Sequence, residues 1–162
     1  MTPNLSDLEL IQRLLTAALL GSILGFEREL RHKSAGLRTN ILIAVGSALF
    51  TLMSYEIAAE TAGADPGRLA AQIVTGIGFL GAGAIMRTNA GVQGLTTAAT
   101  VWVNAAVGVA AGGGEYHLAY IATAVTVAVL LVLHPLERLI ERRFGKGKPE
   151  EAVAEPDGNQ QS

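Results

Sequence analysis

The chain has no cysteine, which excludes disulfides, thiolate metal sites and thiol nucleophiles together. It is also poor in charge: 16% of its 162 residues are Asp, Glu, Lys or Arg, while 50% are hydrophobic and the mean hydropathy is +0.39. That balance excludes an ordinary soluble domain and describes a small integral membrane protein, whose first partner is the lipid bilayer. The net charge of -2 gives no basis for binding nucleic acid. No basic stretch precedes the first apolar run in Met1-Thr2-Pro3-Asn4, so no cleavable signal is evident and the first helix is expected to act as its own insertion signal. His32, His117 and His134 are scattered without metal-ligand spacing and read as interfacial residues. No nucleophile, base and orienting group stand in the pattern that enzymatic catalysis needs, and no cofactor is expected.

What the chain does have is long charge-free runs, at residues 14–26, 39–55, 69–86, 88–114 and 116–136. They predict an all-α fold, a bundle of five transmembrane helices. The first run reaches spanning length only if it begins near Leu5 and Arg13 snorkels toward the headgroups. Arg28, Arg31, Lys33, Arg38, Arg87, Arg138, Arg142, Arg143, Lys146 and Lys148 would fall on one side, and only Arg13 and Arg68 on the other. The positive-inside rule then places the N-terminus outside and the C-terminus in the cytoplasm. The outer loops would hold Glu56, Glu60, Asp65 and Glu115, which read as a solvated acidic face or a weak gatherer of cations.

The stretch 65–104 organises the rest. Asp65-Pro66-Gly67-Arg68 opens a helix, with a carboxylate to cap it and proline at the first helical position, where its missing N–H costs little. That helix carries Gly76, Gly78, Gly81 and Gly83, each of which would weaken it by about 1 kcal/mol in water relative to alanine. In lipid, small residues let helices approach closely. Gly76 and Gly83 share a face with Gln72, while Gly78 and Gly81 lie opposite, so this third helix is expected at the centre of the bundle. Gly76-Ile77-Gly78-Phe79-Leu80-Gly81 also satisfies G-x-G-x-x-G, but no strand, soluble helix or acidic partner accompanies it, so it is not read as a nucleotide loop. A short turn at 87–94 leads to a fourth helix, with Thr97, Thr100, Asn104, Gly108 and Ala111 on one face and Trp102 nearly opposite. That is a polar stripe toward protein and an indole toward lipid.

The first helix, about 5–30, has Ala17, Gly21 and Gly25 at four-residue spacing, a small-residue packing edge. It ends in Glu27-Arg28-Glu29-Leu30-Arg31, in which Glu27 and Arg31 have the spacing of a helical ion pair. The cluster either fixes topology or forms a cytoplasmic mouth in which Glu27 offers a hard oxygen ligand or a proton acceptor. The second helix, about 38–58, lines up Asn40, Ala44, Ser47, Thr51 and Ser54. With Gln72, Thr75, Thr97, Thr100 and Asn104, this stripe is either interhelical glue or a seam that binds or conducts. Gly25, Gly36, Leu37, Thr39, Val45 and Ala48 recur 58 residues later as Gly83, Gly94, Leu95, Thr97, Val103 and Ala106, which suggests a parallel repeat with a site between its halves. Helix five, about 116–134, has Thr123 and Thr126 as a modest inner face and is expected to close at Pro135. The domain plan is a transmembrane domain over 5–134, a cytoplasmic amphipathic segment over 135–145 and a disordered tail over 146–162.

Gly25-Phe26-Glu27-Arg28-Glu29, Ala35-Gly36-Leu37-Arg38-Thr39, Asp65-Pro66-Gly67-Arg68, the run from Gln72 to Gly83 and Gly94-Leu95-Thr96-Thr97-Ala98-Ala99 together resemble the MgtC/SapB family of bacterial inner-membrane proteins. The resemblance covers about residues 14–116. It implies a multi-helix domain in the plasma membrane, linked to survival in low magnesium, acid or other stress. For virulence-associated members it implies inhibition of the proton-driven ATP synthase rather than magnesium transport. By the same similarity Glu27, Arg28, Arg38, Asp65, Arg68, Gln72, Arg87, Thr97 and Asn104 are the positions expected to matter. Members that resemble the founding protein carry a soluble regulatory domain after the membrane part; this sequence reads as a short form with only a tail after Pro135. Two functions compete: a regulatory protein that docks on a membrane partner such as the ATP synthase, and a small cation or proton transporter with a polar seam between helices two, three and four. A homodimer or other homo-oligomer is expected in both cases.

Overall fold

Helix α1 (Asp7–Leu30) starts at a capping box: the Ser6 hydroxyl accepts from the Glu9 N–H at 3.3 Å, and the Glu9 carboxylate accepts from the Ser6 N–H at 2.9 Å. Two donors that a helix start leaves open are thereby matched. The helix stops with His32 in the left-handed region (φ 52), where the Lys33 N–H reaches the Arg28 carbonyl and the His32 N–H the Glu29 carbonyl, each at 3.0 Å. Helix α2 (Leu37–Glu60) follows a tight turn. Its N-cap, Gly36, has no side chain to cap with, and Glu29 of α1 supplies the acceptor instead: Oε2 takes the Leu37 N–H at 3.0 Å. A carboxylate there also faces the positive end of the α2 dipole.

The computed structural model describes residues 5–61, 63–65, 67–89 and 91–144. Helix α3 (Gly67–Gly83) begins on Asp65, whose Oδ1 accepts from the Gly67 N–H at 2.7 Å; Pro66, expected at the first helical position, lies outside the described residues. The helix ends at Gly83, short of the expected 86. The expected turn is a small antiparallel hairpin, β1 (Met86–Thr88) on β2 (Gly91–Gln93), with Arg87 opposite Val92. Gly94 then takes φ +90, and a Cβ there would strike the Ala84 carbonyl, so only glycine joins the hairpin to helix α4 (Leu95–Gly113). Helix α5 (Tyr116–Phe144) contains Pro135 in its interior. The expectation that proline closes it at 134 therefore fails: the ring removes one N–H, and the backbone remains helical to Phe144. The side chains at 137–142 and all of 145–162 lie outside the described residues, and with them most of the expected amphipathic segment and the tail.

Among the described residues there are five helices, and four are long and apolar enough to cross a membrane: α1, α2, α4 and the 18 residues Tyr116–Leu133 of α5. Helix α3, at 17 residues and about 25 Å, stands at the lower limit of spanning length.

The centre of the bundle is not α3. One core cluster joins Ala17 and Leu20 of α1, Ala44 and Ala48 of α2, Val107 and Ala111 of α4 and Ala119 of α5. The other joins Ile43 of α2, Ile73 and Ile77 of α3, and Val101 and Ala105 of α4. Helices α2 and α4 belong to both and form the axis. Among α3's glycines, a Cβ at Gly76, Gly78 or Gly83 would meet nothing within 4 Å, and at Gly81 only Ala98 at 3.7 Å. Glycine content alone does not make a helix central. Close approach occurs instead where a neighbouring backbone lies against the glycine, as it does on α1 and α4.

Candidate functional site

The two polar stripes meet each other. Asn104, fully buried on α4, donates through Nδ2 to the Asn40 carbonyl at 2.7 Å and to Asn40 Oδ1 at 3.1 Å. Asn40, equally buried, donates through its own Nδ2 to the carbonyls of Ala35 at 2.8 Å and Gly36 at 2.9 Å. One amide thus fastens α4 to α2, and the next fastens α2 to the turn that precedes it. Above this pair the backbones close. A Cβ on Gly108 would lie 2.8 Å from Ser47 Cβ and 2.9 Å from Ala44 Cα, and one on Gly112 would lie 2.7 Å from Ala48 Cα. Thr51 and Thr100 turn their hydroxyls back to the carbonyls of Ser47 and Thr96, each at 2.8 Å, and need no partner across the seam. Asn104 Oδ1 is the exception, buried with no donor among the described residues.

Helix α1 approaches α2 as closely. A Cβ on Gly21 would lie 2.8 Å from both Ala44 Cβ and the Asn40 carbonyl oxygen, and one on Gly25 would lie 2.8 Å from Leu37 Cα. Along α2 and α4 the matched pairs are Asn40 with Asn104, Ala44 with Gly108 and Ala48 with Gly112, a constant offset of 64 residues. A pure twofold between repeated halves would set that offset to 58. Any repeat relation is therefore slid by six residues, about 9 Å along the helices.

The charged motif residues divide by environment. Glu27 is 7% exposed and Arg28 is buried beside it, with Arg28 Nε 2.5 Å from Oε2 and Arg31 Nε 2.5 Å from Oε1. The contact from Arg31 is an ion pair without a directed hydrogen bond. The Glu27–Arg31 pair is thus buried at its carboxylate end, where removing one partner costs far more than at a surface. Both carboxylate oxygens already face guanidinium groups, which leaves the reading of Glu27 as a free ligand or proton acceptor without support. Glu29 caps α2, Asp65 caps α3, and Arg38, Arg68 and Arg87 are exposed. Arg13 does not simply reach for headgroups: Nη1 donates to the Gly112 carbonyl at 2.8 Å, a cation at the negative end of α4.

Gln72 and Thr75 do not join the seam. Both are exposed on α3, with the Thr75 hydroxyl turned to the Ala71 carbonyl at 3.3 Å. Gln72 instead borders two clefts between α2 and α3. The larger, about 780 Å³, is lined by apolar residues such as Ile43, Phe50, Ile73 and Ile77, with Thr39, Ser47, Gly46 and Gly76. The smaller, about 340 Å³, includes Ser54, Asp65, Arg68 and Gln72. Sequence reasoning missed Gly112, the contact of Arg13 with its carbonyl and the capping role of Glu29. Gly112 was findable, since it follows Gly108 by four residues on the stripe already drawn. Among the described residues no three His, Asp or Glu side chains come together.

Helices of spanning length around a buried polar seam define a polytopic helical membrane protein. The chain belongs to the MgtC family, which it matches over residues 14–139. It is 45% identical over 142 residues to the "Putative magnesium transporter YhiD" of Escherichia coli (strain K12), a match covering 84% of this chain and 66% of that protein. It is 48% identical over 140 residues to Protein MgtC of Brucella abortus (strain 2308), covering 85% and 58%, and 46% identical over 132 residues to Protein MgtC of Salmonella typhimurium (strain LT2), covering 82% and 55%. The chain thus spans between 55% and 66% of these relatives' own lengths. No solved structure matches.

Proposed function

We propose that this chain is a stress-adaptation protein of the bacterial plasma membrane that acts by docking on a membrane partner, with the proton-driven ATP synthase as the first partner to test. The observation that carries the reading is the closed seam: the polar residues that could have lined a conduit are spent on fastening α2 to α4, with backbone contacts at Gly108 and Gly112 leaving no room for an ion. Most of α3 is exposed, Phe79 by 82%, and the open backbone at Gly78 suits close approach by another helix. The same face suits a second copy of the chain. In a detergent pull-down the protein should retain ATP synthase membrane subunits, and its deletion should change ATP level and cytoplasmic pH. Self-association alone, with both readouts unchanged, would overturn the proposal.

A second reading, movement of a cation or proton, draws on the name of the Escherichia coli relative. Its path would have to use the α2–α3 clefts, which the exposed Gln72 borders, rather than the Asn40–Asn104 contact. Purified protein in sealed vesicles decides it: a panel of cations and protons should then cross, and no flux for any of them rejects it.

A further inference from the structure

The two clefts between α2 and α3 run along the same pair of helices and share Gln72 as a wall. Their chemistry is graded. At one end stand Asp65 and Arg68, both exposed, one of each sign; Asp65 gives Oδ1 to the Gly67 N–H, and Arg68 has no ion-pair partner among the described residues. Gln72 follows Arg68 by one helical turn, about 6 Å deeper. Beyond it the walls turn apolar, from Phe50 back to Thr39 on α2 and from Ile73 to Leu80 on α3. From Gln72 to Leu80 on α3 is about 12 Å, within the half-thickness of about 15 Å that one leaflet's acyl chains occupy, and the Thr39 end of the cleft lies beyond that reach. The glycines at 46 and 76 keep the walls low, since neither has a neighbour within 4 Å of its missing Cβ.

From this gradient we infer that the α2–α3 cleft is a site for one phospholipid with a zwitterionic headgroup. The phosphate meets Arg68, the ammonium meets Asp65, the Gln72 amide donates to an ester carbonyl, and one acyl chain lies in the apolar cleft. A transmembrane helix of a partner would match the apolar walls but would leave the two opposite charges at the mouth unused. An anionic headgroup would meet Arg68 but would be repelled by Asp65. Phosphatidylethanolamine has the required pair of charges, and phosphatidylglycerol lacks the cation.

The test uses a tryptophan placed in the cleft, Phe50→Trp in a Trp102→Phe background, Phe50 being 54% exposed and open to the exchange. Its fluorescence is titrated in mixed bilayers with phosphatidylethanolamine or phosphatidylglycerol bearing brominated chains. Half-maximal quenching should need about threefold less of the ethanolamine lipid, the selectivity of one modest charge contact. Arg68→Gln should weaken the ethanolamine lipid and erase the preference. Asp65→Asn, which keeps the cap on Gly67, should shift it toward phosphatidylglycerol. Native mass spectrometry of the unaltered chain should show one retained phosphatidylethanolamine after delipidation. Equal quenching by both lipids, unmoved by Arg68→Gln, would mean that bulk lipid alone touches the cleft, and it overturns the inference. So would protection of the tryptophan from both lipids in a protein that cross-links as a dimer through the cleft, because a second copy would then fill it.

Discussion

At the scale of single residues, glycines that are contacts differ from glycines that are open. Gly108 faces Ser47 and Ala44 across a gap too small for a methyl group, whereas Gly76 faces nothing. Gly108→Ala should destabilise the folded protein by about 1–3 kcal/mol through overpacking. Gly76→Ala should leave stability unchanged or raise it by up to about 1 kcal/mol through helix propensity. Thermal melts in one detergent read both, and a loss of the same size at both positions would contradict the assignment. Asn104→Leu removes the donor that serves two acceptors on Asn40. Interhelical hydrogen bonds in membranes average about 0.6 kcal/mol and reach about 1.7, and since Asn104 Oδ1 is already unmatched, the net loss should lie in that range rather than above it.

At the scale of elements, the bundle is held by caps lent from one helix to another. Glu29→Ala strips the acceptor from the first turn of α2 and should cost about 1 kcal/mol, as loss of an N-cap does. The melting point in detergent measures it, and an unchanged value would show that water replaces the carboxylate. The sequence revealed the helices and their inward faces because both depend on local periodicity: the stripe Asn40, Ala44, Ser47, Thr51 is buried as a set, and so is Thr97, Thr100, Asn104, Gly108. It did not reveal which helix is central, because four glycines on α3 carry no information about what approaches them. It misjudged Pro135: the helix continues through it to Phe144 although an interior proline costs about 3 kcal/mol, so the local signal alone does not set where α5 ends. Nor did it show Arg13 on the Gly112 carbonyl, a contact between residues 99 apart that no local pattern encodes.

At the scale of the whole molecule, the lysine and arginine distribution predicts that the α1–α2 turn and the β1–β2 hairpin face the cytoplasm while Glu56 and Glu115 face outward. Because the chain has no cysteine, single cysteines at Ser34, Asn89 and Glu115 report this directly. In intact cells an impermeant maleimide should modify only the Glu115→Cys protein, and modification of the other two instead would reverse the orientation.

The face carrying Asn40, Thr100 and Asn104 is a dry contact between α2 and α4, and Trp102, 51% exposed, turns to the lipid. Thiol labelling of Thr100→Cys, Asn104→Cys and Trp102→Cys in sealed vesicles, with one water-soluble and one lipid-soluble reagent, tests it most directly. Neither reagent should modify positions 100 and 104, while the lipid-soluble one should modify position 102. Rapid modification of position 104 by the water-soluble reagent would show a hydrated seam and contradict it.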